Sequence, residues 1–489
     1  MTKVVLVNPP LVGLINDPFG SIPSLPVGIP YIAGYLRYHG VDVQIVDAFG
    51  EKPKQIWYYR GKYQVRGLTV QETLERLPKD ATIVGISLHS GVSFTFTMDL
   101  LQAVKAENAK GIMRAKVAIG GNFATVVYKE FIDAGADFVI IGEGEESFLE
   151  VIRRMEKNQP INDIDGLAWQ GGHNPKTKWI KDLDTVPFPA IDMLPLKNYW
   201  DLGYAHGPFE GPYTFMMTSR GCPYGCKFCS TPTTWARRWR SHSPQRIADE
   251  MEYFSKTLGI RDFHLQDDIF TVNTIRAKEI CREIMKRKLD VTWQILSTKA
   301  ETVDEELVHL LKQAGCDYLS VSPETGSPEL IKKMNKPFDY DHMLRITKVA
   351  NKVGLTTQAC FILGFPGETD HDRKLTQKYV TKLARAGIDE IGVYITTPLP
   401  GAAIYEEFKG KFQDHEESAS YSPRWRGEYK MLNRFRQKLY LILLVNKLLY
   451  HPQKMLAHVY NLLTGSFKVK IEAGLIRYLK TLAVGERIG

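Results

Sequence analysis

The chain has 489 residues, of which 44% are hydrophobic and 24% are charged, and its formal net charge is +8. This length exceeds that of one ordinary domain, so we expect two or three domains with substantial buried cores. The opening MTKVVLVNPP lacks the features of a secretory signal, and no run reaches the roughly 18 apolar residues of a membrane span. We therefore expect a cytoplasmic protein.

Short apolar runs alternate with helix-like segments over residues 1–160. The predicted strands are Lys3–Asn8, Asp42–Asp47, Ile83–Leu88, Lys116–Gly120 and Phe138–Ile141. Such alternation predicts a parallel sheet with helices on both faces, a doubly wound, Rossmann-like α/β domain.

Ligands of such sheets bind beyond the carboxyl ends of the strands. The predicted strand ends carry polar and glycine residues, namely Asn8, Pro9 and Pro10, then His89, Ser90 and Gly91, then Gly120, Gly121 and Asn122, and finally Gly142, Glu143, Gly144 and Glu145. Ordinary turn formation accounts for some of these glycines. The others would let a large ligand approach the backbone closely.

Residues 161–210 are irregular and rich in proline, tryptophan and aspartate, and we interpret them as a wrapping linker. The alternation resumes over residues 211–410, with predicted strands at Thr214–Thr218, Asp262–Gln266, Thr292–Leu296, Tyr318–Val321, Gln358–Leu363 and Glu390–Ile395. Six such units predict a partial (β/α)6, TIM-like barrel whose chemistry lies at the strand C-termini. Residues 411–489 lose the strands and become helical, apolar and basic.

Three of the six cysteines lie in one short run, Cys222-Pro-Tyr-Gly-Cys226-Lys-Phe-Cys229, after the first predicted barrel strand. In a reducing compartment a clustered set indicates metal binding rather than disulfides. Thiolates are the ligands of iron–sulfur clusters, and three of them leave one iron of a four-iron cluster open. A structural zinc site is the alternative. It would need a fourth Cys or His at tetrahedral spacing, and the nearest histidine, His242, stands thirteen residues beyond Cys229.

This run, with the aromatic Phe228 before its last cysteine, resembles that of the radical S-adenosylmethionine superfamily, and the resemblance covers residues 211–410. It implies a 4Fe–4S cluster on Cys222, Cys226 and Cys229, whose open iron binds the amino and carboxylate groups of S-adenosylmethionine. Reduction by an external flavodoxin- or ferredoxin-type donor would then give methionine and a 5′-deoxyadenosyl radical.

Further positions match the superfamily's contacts to S-adenosylmethionine, Phe228 among them. Gln266, Asp267 and Asp268 follow the second barrel strand, where acidic or carbonyl groups hold the ammonium group. Lys299 follows the third strand, where many relatives carry an arginine, so the resemblance implies a contact to the carboxylate.

Two later strand ends extend the match. Ser322 and Glu324 follow the fourth strand, where a carboxylate commonly takes the ribose hydroxyls. Gly364 and Phe365 follow the fifth, whose backbone lies along the adenine. Each feature alone is more often a helix cap or a turn, but their order behind the cysteine run supports the resemblance.

The front sheet is similar to the cobalamin-binding domain of B12-dependent radical enzymes. The segments that match are Asn8–Pro10, Pro26–Ala33, Gly120–Asn122 and Ile141–Glu145. The pattern D-x-H-x-x-G of other cobalamin proteins is missing, so the lower face of cobalt need not be ligated by protein. His89 is the one candidate at a matching strand end, although a lone loop histidine is more often a surface residue.

Other families fit the sequence less well. Methylthiotransferases carry three further cysteines in their front domain, whereas the first 221 residues here contain none. Glycyl-radical activases lack a front domain of this kind. A dinucleotide-binding domain is excluded because no G-x-G-x-x-G joins the first strand to the first helix.

The basic character lies in the tail, since residues 424–489 contain 13 Lys or Arg and 3 Asp or Glu. The apolar run Leu439–Tyr450 follows a charged stretch, and Leu475, Ile476 and Lys480 continue the mixture. Helices packed on the barrel with solvated basic faces are one interpretation. A peripheral membrane contact through an interfacial helix on anionic lipid is another. A nucleic-acid partner is disfavoured because no RNA-binding module is present.

The sequence and the resemblance together predict a cobalamin-dependent radical C-methyltransferase acting on an unactivated carbon of a small, lipid-like or tetrapyrrole-like substrate. In the implied scheme, one S-adenosylmethionine methylates cobalamin, a second gives the adenosyl radical, and the substrate radical takes methyl from methylcobalamin. Two alternatives stay open. One is a cobalamin-binding radical enzyme that catalyses cyclisation, ring rearrangement or oxidation without methyl transfer. The other is a radical enzyme whose front domain is only a scaffold.

Overall fold

The computed structural model describes residues 2–15, 17, 22–203, 207–474 and 486–488. The chain divides into two compact units. The front unit comprises residues 1–203 with two later segments, 412–420 and 481–489, and the barrel unit comprises residues 204–411 and 421–480. The tail positions Leu475, Ile476 and Lys480 lie outside the described residues.

The front unit is an α/β fold. Its strands up to residue 203 are β1 (Lys3–Asn8), β2 (Leu11–Leu14), β3 (Asp42–Asp47), β4 (Gln55–Tyr59), β5 (Tyr63–Arg66), β6 (Ile83–Ser87), β7 (Lys116–Gly120), β8 (Phe138–Ile140), β9 (Leu167–Trp169) and β10 (Gly172–His173). Its helices there are α1 (Gly28–Tyr38), α2 (Val70–Arg76), α3 (Phe94–Ala109), α4 (Asn122–Val126), α5 (Tyr128–Asp133), α6 (Glu145–Glu156) and α7 (Leu196–Trp200).

The main sheet has the order β10-β9-β8-β7-β6-β1-β3, and its strands from β8 to β3 are parallel. The parallel strands are buried on both faces, as helix-covered sheets require, and the central residues Val4–Val7 are at most 5% exposed. In the sheet, β3 lies on one side of β1 and β6 lies on the other, so the direction of the strand order reverses at β1. This reversal makes the carboxyl end of β1 and β6 the expected ligand crevice. The predicted doubly wound sheet is confirmed.

Two features of the front unit differ from the expectation. Strands β9 and β10, in the segment interpreted as a linker, extend the main sheet in antiparallel fashion. A second sheet, ordered β19-β4-β5-β2, was not predicted; its strand β19 (Glu486–Ile488) comes from the far end of the chain. Pairing across more than 400 residues leaves no local sequence signal, and strands of three to five residues give little periodicity.

The barrel unit repeats strand and helix. Its strands are β11 (Tyr213–Met216), β12 (Ser219–Arg220), β13 (Arg240–Ser241), β14 (Asp262–Leu265), β15 (Thr292–Thr298), β16 (Cys316–Glu324), β17 (Thr356–Leu363) and β18 (Glu390–Ile395). The helices from residue 204 onward are α8 (Thr231–Thr234), α9 (Pro244–Leu258), α10 (Thr274–Lys286), α11 (Glu305–Gln313), α12 (Pro328–Lys333), α13 (Tyr340–Val353), α14 (Asp370–Ala386), α15 (His415–Ser418), α16 (Tyr429–Tyr450) and α17 (Pro452–Thr464), of which α15 belongs to the front unit.

Six parallel strands, in the order β11-β14-β15-β16-β17-β18, form the partial barrel, which confirms the predicted (β/α)6 arrangement. Local signals fix the helices around it. Helix α9 begins at Ser243, whose side chain accepts a hydrogen bond from the backbone N of Arg246 at 3.1 Å, and ends at Gly259 with a φ of +68°. Helices α13 and α14 likewise begin at a capping side chain and end at a glycine with positive φ.

A buried polar network closes the amino end of the barrel strands. The Glu390 carboxylate, which is fully buried, accepts hydrogen bonds from the Tyr318 hydroxyl, from Gln358 Nε2 at 3.1 Å and from the backbone N of Ile471 at 3.1 Å. Lys470 Nζ donates to Gln358 Oε1 at 3.3 Å. The returning segment at residues 470–471 thus satisfies a carboxylate that would otherwise be costly to bury.

Asp317 makes the stability of the barrel unit sensitive to pH. Burial, aided by the Asp262 carboxylate, raises the pKa of Asp317 to about 7. The unfolded chain releases this proton near pH 4, so stability is lost as the pH rises from about 4 through about 7. We expect Asp317→Asn to stabilise the protein by about 2 kcal/mol more at pH 8 than at pH 5, a value reduced for partial solvent screening. Urea unfolding at both pH values measures this, and an equal effect at both would contradict it.

The tail of the barrel unit is helical, as predicted. Helix α16 packs against α14 and β18, and α17 packs against α16. Leu432, Leu439 and Leu443 face the protein and are buried. Among the described residues, no helix combines the length and the apolar character needed to cross a membrane.

Candidate active site

The cysteine loop is anchored at the carboxyl ends of the first two barrel strands. Asp267, which follows β14, accepts hydrogen bonds from the backbone N and the hydroxyl of Thr218, both at 2.6 Å, and from the Ser219 hydroxyl at 2.5 Å. Asp268 accepts from the backbone N of Gly221 at 3.0 Å and from the Thr231 hydroxyl at 3.2 Å. The two adjacent carboxylates therefore hold the two ends of the segment that carries the cysteines.

Gly221 allows the loop to turn away from the strand. Its φ is +81°, and a Cβ atom there would lie 2.0 Å from the backbone O of Arg238. Further along, Asn335 Nδ2 donates to the backbone O of Gly225 at 2.7 Å, and the backbone N of Lys227 donates to the carbonyl of Met334 at 3.0 Å. The loop is thus fixed on both sides before any cofactor is considered.

The three cysteines Cys222, Cys226 and Cys229 are partly buried and free of disulfides. Burial raises the pKa of all three thiols, to about 11 for Cys222. Positive charge on Lys336 and Lys299 acts in the opposite direction on the pKa of Cys226. These two lysines are therefore close enough to compensate the negative charge of thiolates bound to a metal cluster.

The ligands of the loop are three thiolates of one short segment. Within the described part of the chain, no three His, Cys, Asp or Glu side chains converge closely enough to hold one metal ion. A tetrahedral zinc site needs such convergence at about 2.3 Å from the metal, whereas in a four-iron cluster each thiolate binds a different iron and the sulfurs stay apart. Three thiolates on one loop are the ligand set that a four-iron cluster with one open iron requires.

Two of the three residues after β14 keep accessible side chains. Gln266 and Asp268 are partly exposed, whereas Asp267 is buried and engaged by Thr218 and Ser219. Burial raises the pKa of Asp267, and it raises that of Asp268 to about 6. An ammonium group placed beside Asp268 would favour its ionised form, so Asp268 rather than Asp267 is suited to that contact.

Glu324 ends β16 in an unusual backbone conformation. Its φ is +63°, in the left-handed region that residues with a Cβ seldom adopt. The side chain is 5% exposed and pairs with Lys336, whose Nζ also donates to the backbone O of Ser322 at 2.7 Å. Burial raises the pKa of Glu324, and Lys336 opposes that rise. Lys336 carries no signal in the sequence, because it stands in a lysine-rich stretch that is typical of a solvated surface.

The remaining predicted contacts lie around the same loop. Lys299 Nζ lies 4.2 Å from the ring centroid of Tyr224, inside the cysteine loop, and Phe228 is partly exposed. After β17, Gly364 has a φ of +72° and its backbone N donates to Glu368 Oε2 at 2.8 Å, while Phe365 is buried. The strand ends of the barrel therefore bring most of the predicted residues to one edge.

In the front unit, the ends of β6 and β7 are joined through the backbone. The N atom of Leu88 donates to the carbonyl of Gly120 at 2.7 Å, and the N atom of Phe123 donates to the carbonyl of Leu88 at 3.1 Å. Gly121 permits this contact, since its φ is +111° and a Cβ there would lie 2.6 Å from the backbone O of Leu88. At Gly120, in contrast, the nearest atom to a Cβ would be Ile140 Cβ at 3.8 Å, an ordinary van der Waals distance, so a Cβ is tolerated at this strand end.

His89 follows Leu88 with an accessible ring, while desolvation by the surrounding protein lowers its pKa. The lowered pKa keeps the imidazole neutral at pH 7. Among its neighbours, Ser90 is partly exposed and Gly91 is packed, with 2.8 Å between its Cβ position and the Phe123 ring.

Several predicted cobalamin contacts are already engaged within the protein. Asn8 Nδ2 donates to Asp47 Oδ1 at 2.8 Å, and the buried Glu143 accepts from the backbone N of Ile180 at 2.9 Å. The N atom of Gly142 donates to the Thr125 hydroxyl at 2.9 Å. Pro9, Pro10 and Glu145 are buried, and Asn122 and Gly144 are partly exposed. These residues shape the edge of the sheet, whereas His89, Ser90, Gly120 and Asn122 leave atoms accessible there.

Comparison with known proteins agrees with both units. The family model of the radical SAM superfamily matches residues 216–380, and that of the B12 binding domain matches residues 23–152. These two matches define the class of protein: an enzyme with a radical S-adenosylmethionine barrel behind a B12-binding domain.

Relatives that match most of this chain define the class of enzyme more closely. The uncharacterized methyltransferase PH0819 of Pyrococcus horikoshii is 30% identical over 410 residues, which are 83% of this chain and 82% of that protein. The chain therefore belongs to the B12-binding radical S-adenosylmethionine enzymes that include methyltransferases. An anaerobic magnesium-protoporphyrin IX monomethyl ester cyclase of Rubrivivax gelatinosus is 25% identical over 401 residues, 79% of this chain and 67% of the cyclase.

A solved structure shows the same fold. The radical S-adenosylmethionine methyltransferase TsrM of Kitasatospora setae, with cobalamin and a [4Fe-4S] cluster bound, has a TM-score of 0.65 and 18% sequence identity. The match covers 83% of this chain and 75% of that chain.

Proposed function

We propose that this enzyme is a cobalamin-dependent radical C-methyltransferase that replaces a C–H bond of an unactivated carbon by C–CH3. The observation that carries the proposal is the accessible edge of the front sheet at His89, Ser90 and Asn122, in a chain whose barrel presents three clustered cysteines. A methyltransferase at 30% identity supports the same reaction class.

Each group of residues has a proposed role. Cys222, Cys226 and Cys229 hold the 4Fe–4S cluster. Phe228, Gln266, Asp268, Lys299, Ser322, Glu324, Gly364 and Phe365 surround S-adenosylmethionine, with Asp267 positioning the loop. The accessible atoms of His89, Ser90, Gly120 and Asn122 contact cobalamin, and the other front residues shape that edge. When bound, the cluster supplies the electron that cleaves S-adenosylmethionine, and cobalamin supplies a methyl carrier.

The proposed reaction balances with two molecules of S-adenosylmethionine and two electrons. One S-adenosylmethionine gives up its methyl group and becomes S-adenosylhomocysteine. The other is reduced to methionine and a 5′-deoxyadenosyl radical, which removes the substrate hydrogen and ends as 5′-deoxyadenosine. The two electrons come from an external one-electron donor of the flavodoxin or ferredoxin type.

The substrate class is a small, lipid-like or tetrapyrrole-like molecule. Support for a tetrapyrrole-like substrate comes from the relative that is a cyclase of magnesium-protoporphyrin IX monomethyl ester. That relative also supports the second candidate function, a cobalamin-binding radical reaction without methyl transfer.

The products separate these functions even before the substrate is known. We expect the reduced enzyme with its corrinoid to form S-adenosylhomocysteine as well as 5′-deoxyadenosine from S-adenosylmethionine. Enzyme that lacks the corrinoid is the matched control and should form only 5′-deoxyadenosine. Formation of 5′-deoxyadenosine alone by corrinoid-loaded enzyme would favour cyclisation, rearrangement or oxidation and contradict the methyltransferase proposal.

We also propose that the electron donor docks on a basic surface beside the cysteine loop, and that the enzyme works in the cytoplasm, where such donors occur. The exposed residues Lys227, Arg237, Lys332 and Lys333 form no ion pair within the part of the chain that the structure describes. An Arg237 guanidinium nitrogen lies 2.9 Å from the Cβ position of Gly225 in the cysteine loop, and Lys333 Nζ lies 3.9 Å from that of Gly367. Flavodoxins and ferredoxins are acidic, so their charge complements this surface.

Charge reversal tests the docking surface. We expect Lys227→Glu with Lys332→Glu and Lys333→Glu to slow cluster reduction by flavodoxin at low salt by roughly 10–1000-fold, because electrostatic steering is lost. Reduction by dithionite, which needs no docking, should be unchanged. The control is the triple variant Lys348→Glu, Lys352→Glu and Lys378→Glu on α13 and α14. Equal slowing by both triples would contradict the docking site.

A further inference from the structure

The two tail helices α16 and α17 expose apolar side chains along one line of each helix. The exposed residues are Leu441, Leu444, Val445, Leu448 and Leu449 on α16 and Leu456, Val459, Tyr460 and Leu463 on α17, which are 45–82% exposed. Their spacing of three and four residues makes each set a continuous stripe. Single exposed apolar residues are ordinary, but a contiguous set of this size marks a surface that binds something apolar.

Charge identifies the kind of partner. The same side of α16 begins with Lys430, Arg434 and Lys438, which are exposed and form no ion pair within the described residues. Their spacing of four places them in line with the apolar stripe that starts at Leu441. From residue 429 to residue 464 the chain contains six Lys or Arg and not one Asp or Glu. The partner should therefore be both apolar and anionic.

This charge pattern argues against a second copy of the chain on the surface. In a twofold dimer the same patch faces itself, so the three cations of each copy would meet like charges. The two helices offer no carboxylate to neutralise them. Nucleic acid would use the cations but would leave the apolar stripe in water.

We propose that the stripe surface, defined by the nine exposed apolar residues and the three cations above, docks on an anionic lipid surface. The apolar side chains enter the boundary between headgroups and acyl chains, and the cations lie at the headgroup level. Only His451 separates α16 from α17, so the exposed Leu448 and Leu449 lie near the start of α17. The buried faces of α16 stay packed on the barrel unit.

Vesicle flotation of the purified full-length enzyme tests this proposal independently of catalysis. The probes are vesicles of phosphatidylcholine alone and of phosphatidylcholine with an equal amount of phosphatidylglycerol. We expect binding to the anionic vesicles that weakens with salt. Lys430→Gln with Arg434→Gln and Lys438→Gln should weaken it on the order of 100-fold, at about fivefold per cation. Leu448→Asp with Leu456→Asp should abolish it.

Matched controls separate docking from misfolding. Ile275→Asp places the same charge on an exposed apolar site of α10, where the native side chain is 70% exposed, and should leave vesicle binding unchanged. Lys348→Gln with Lys352→Gln and Lys378→Gln removes the same number of charges elsewhere on the barrel unit. All variants should keep the wild-type rate of 5′-deoxyadenosine formation in solution.

Three results would overturn the proposal. One is the absence of binding to anionic vesicles at low salt. Another is binding that the tail variants and their controls weaken equally. The third is a stable dimer, measured by light scattering, that Leu448→Asp with Leu456→Asp dissociates, which would assign the surface to a second copy.

Discussion

Replacement of Cys226 by alanine is expected to abolish the cleavage of S-adenosylmethionine. Cys226 is the central cysteine of the run, and the charges of Lys336 and Lys299 act on it. With two thiolates left, the loop cannot hold three irons of the cluster and leave the fourth open. We expect loss of the bound iron and sulfide and no 5′-deoxyadenosine above background, as measured by metal analysis and chromatography.

The matched control is Cys316→Ala, because Cys316 is fully buried in β16 and its thiol donates to the backbone O of Tyr318 at 3.5 Å. This variant loses some packing, at a cost of about 1 kcal/mol, but should keep its iron and its activity. Iron retained by Cys226→Ala, or lost equally by Cys316→Ala, would show that the cluster is not where we place it.

The second large effect is expected at Gly120 in the front unit. A Cβ atom there would lie 3.8 Å from Ile140 Cβ, an ordinary van der Waals distance, and the φ of Gly120 lies outside the left-handed region. Gly120→Leu should therefore fold normally while its side chain fills the space beside the ends of β6 and β7. We expect corrinoid binding to fall by at least about 100-fold, since the overlap removes close backbone contacts. Absorbance of the purified protein measures the loss.

Two comparisons make that result specific. Gly427→Leu is the control, because Gly427 has no neighbour within 4 Å of its Cβ position and belongs to the barrel unit. Both variants should keep the iron–sulfur cluster. Corrinoid bound by Gly120→Leu as tightly as by the wild type would place cobalamin away from this edge.

The sheets of both units were predictable because parallel strands buried on both faces read as continuous β-branched runs. Lys3–Asn8, Asp42–Asp47, Lys116–Gly120 and Glu390–Ile395 agree with the observed strands to the residue. The strand predicted at Thr214–Thr218 is shorter and lies at Tyr213–Met216. Its last predicted residues instead turn to bind Asp267, a partner about 50 positions away that no local pattern indicates.

Only those parts of the candidate site that lie in a short sequence motif could be predicted from the sequence. The eight residues from Cys222 to Cys229 predict the cysteine loop. The glycines at the strand ends predict that a ligand can approach the backbone closely. The role of Lys336 could not be predicted, because Lys336 pairs with Glu324 only when the chain folds around α12. The return of residues 412–420 to the front unit was missed for the same reason: Glu416 accepts from the backbone N of Thr95 at 2.6 Å, a contact across 321 positions.

In the tail, the amino-acid composition is a better predictor of the structure than the hydrophobic periodicity is. The excess of basic residues and the run Leu439–Tyr450 are plain in the sequence, but which leucines face the protein is set by packing on α14 and β18. Leu439 and Leu443 are buried, whereas Leu441 and Leu444, one or two positions away, are exposed. Only the structure separates the stripe surface from the core.

The proposed reaction requires one chain to use an iron–sulfur cluster and cobalamin together. The most direct test is anaerobic purification of the full-length protein from cells supplied with cobalamin, followed by quantification of iron, sulfide and corrinoid. We expect one corrinoid and one four-iron cluster per chain. A cluster without corrinoid, even after reconstitution with cobalamin, would contradict it and leave a radical enzyme whose front unit is a scaffold.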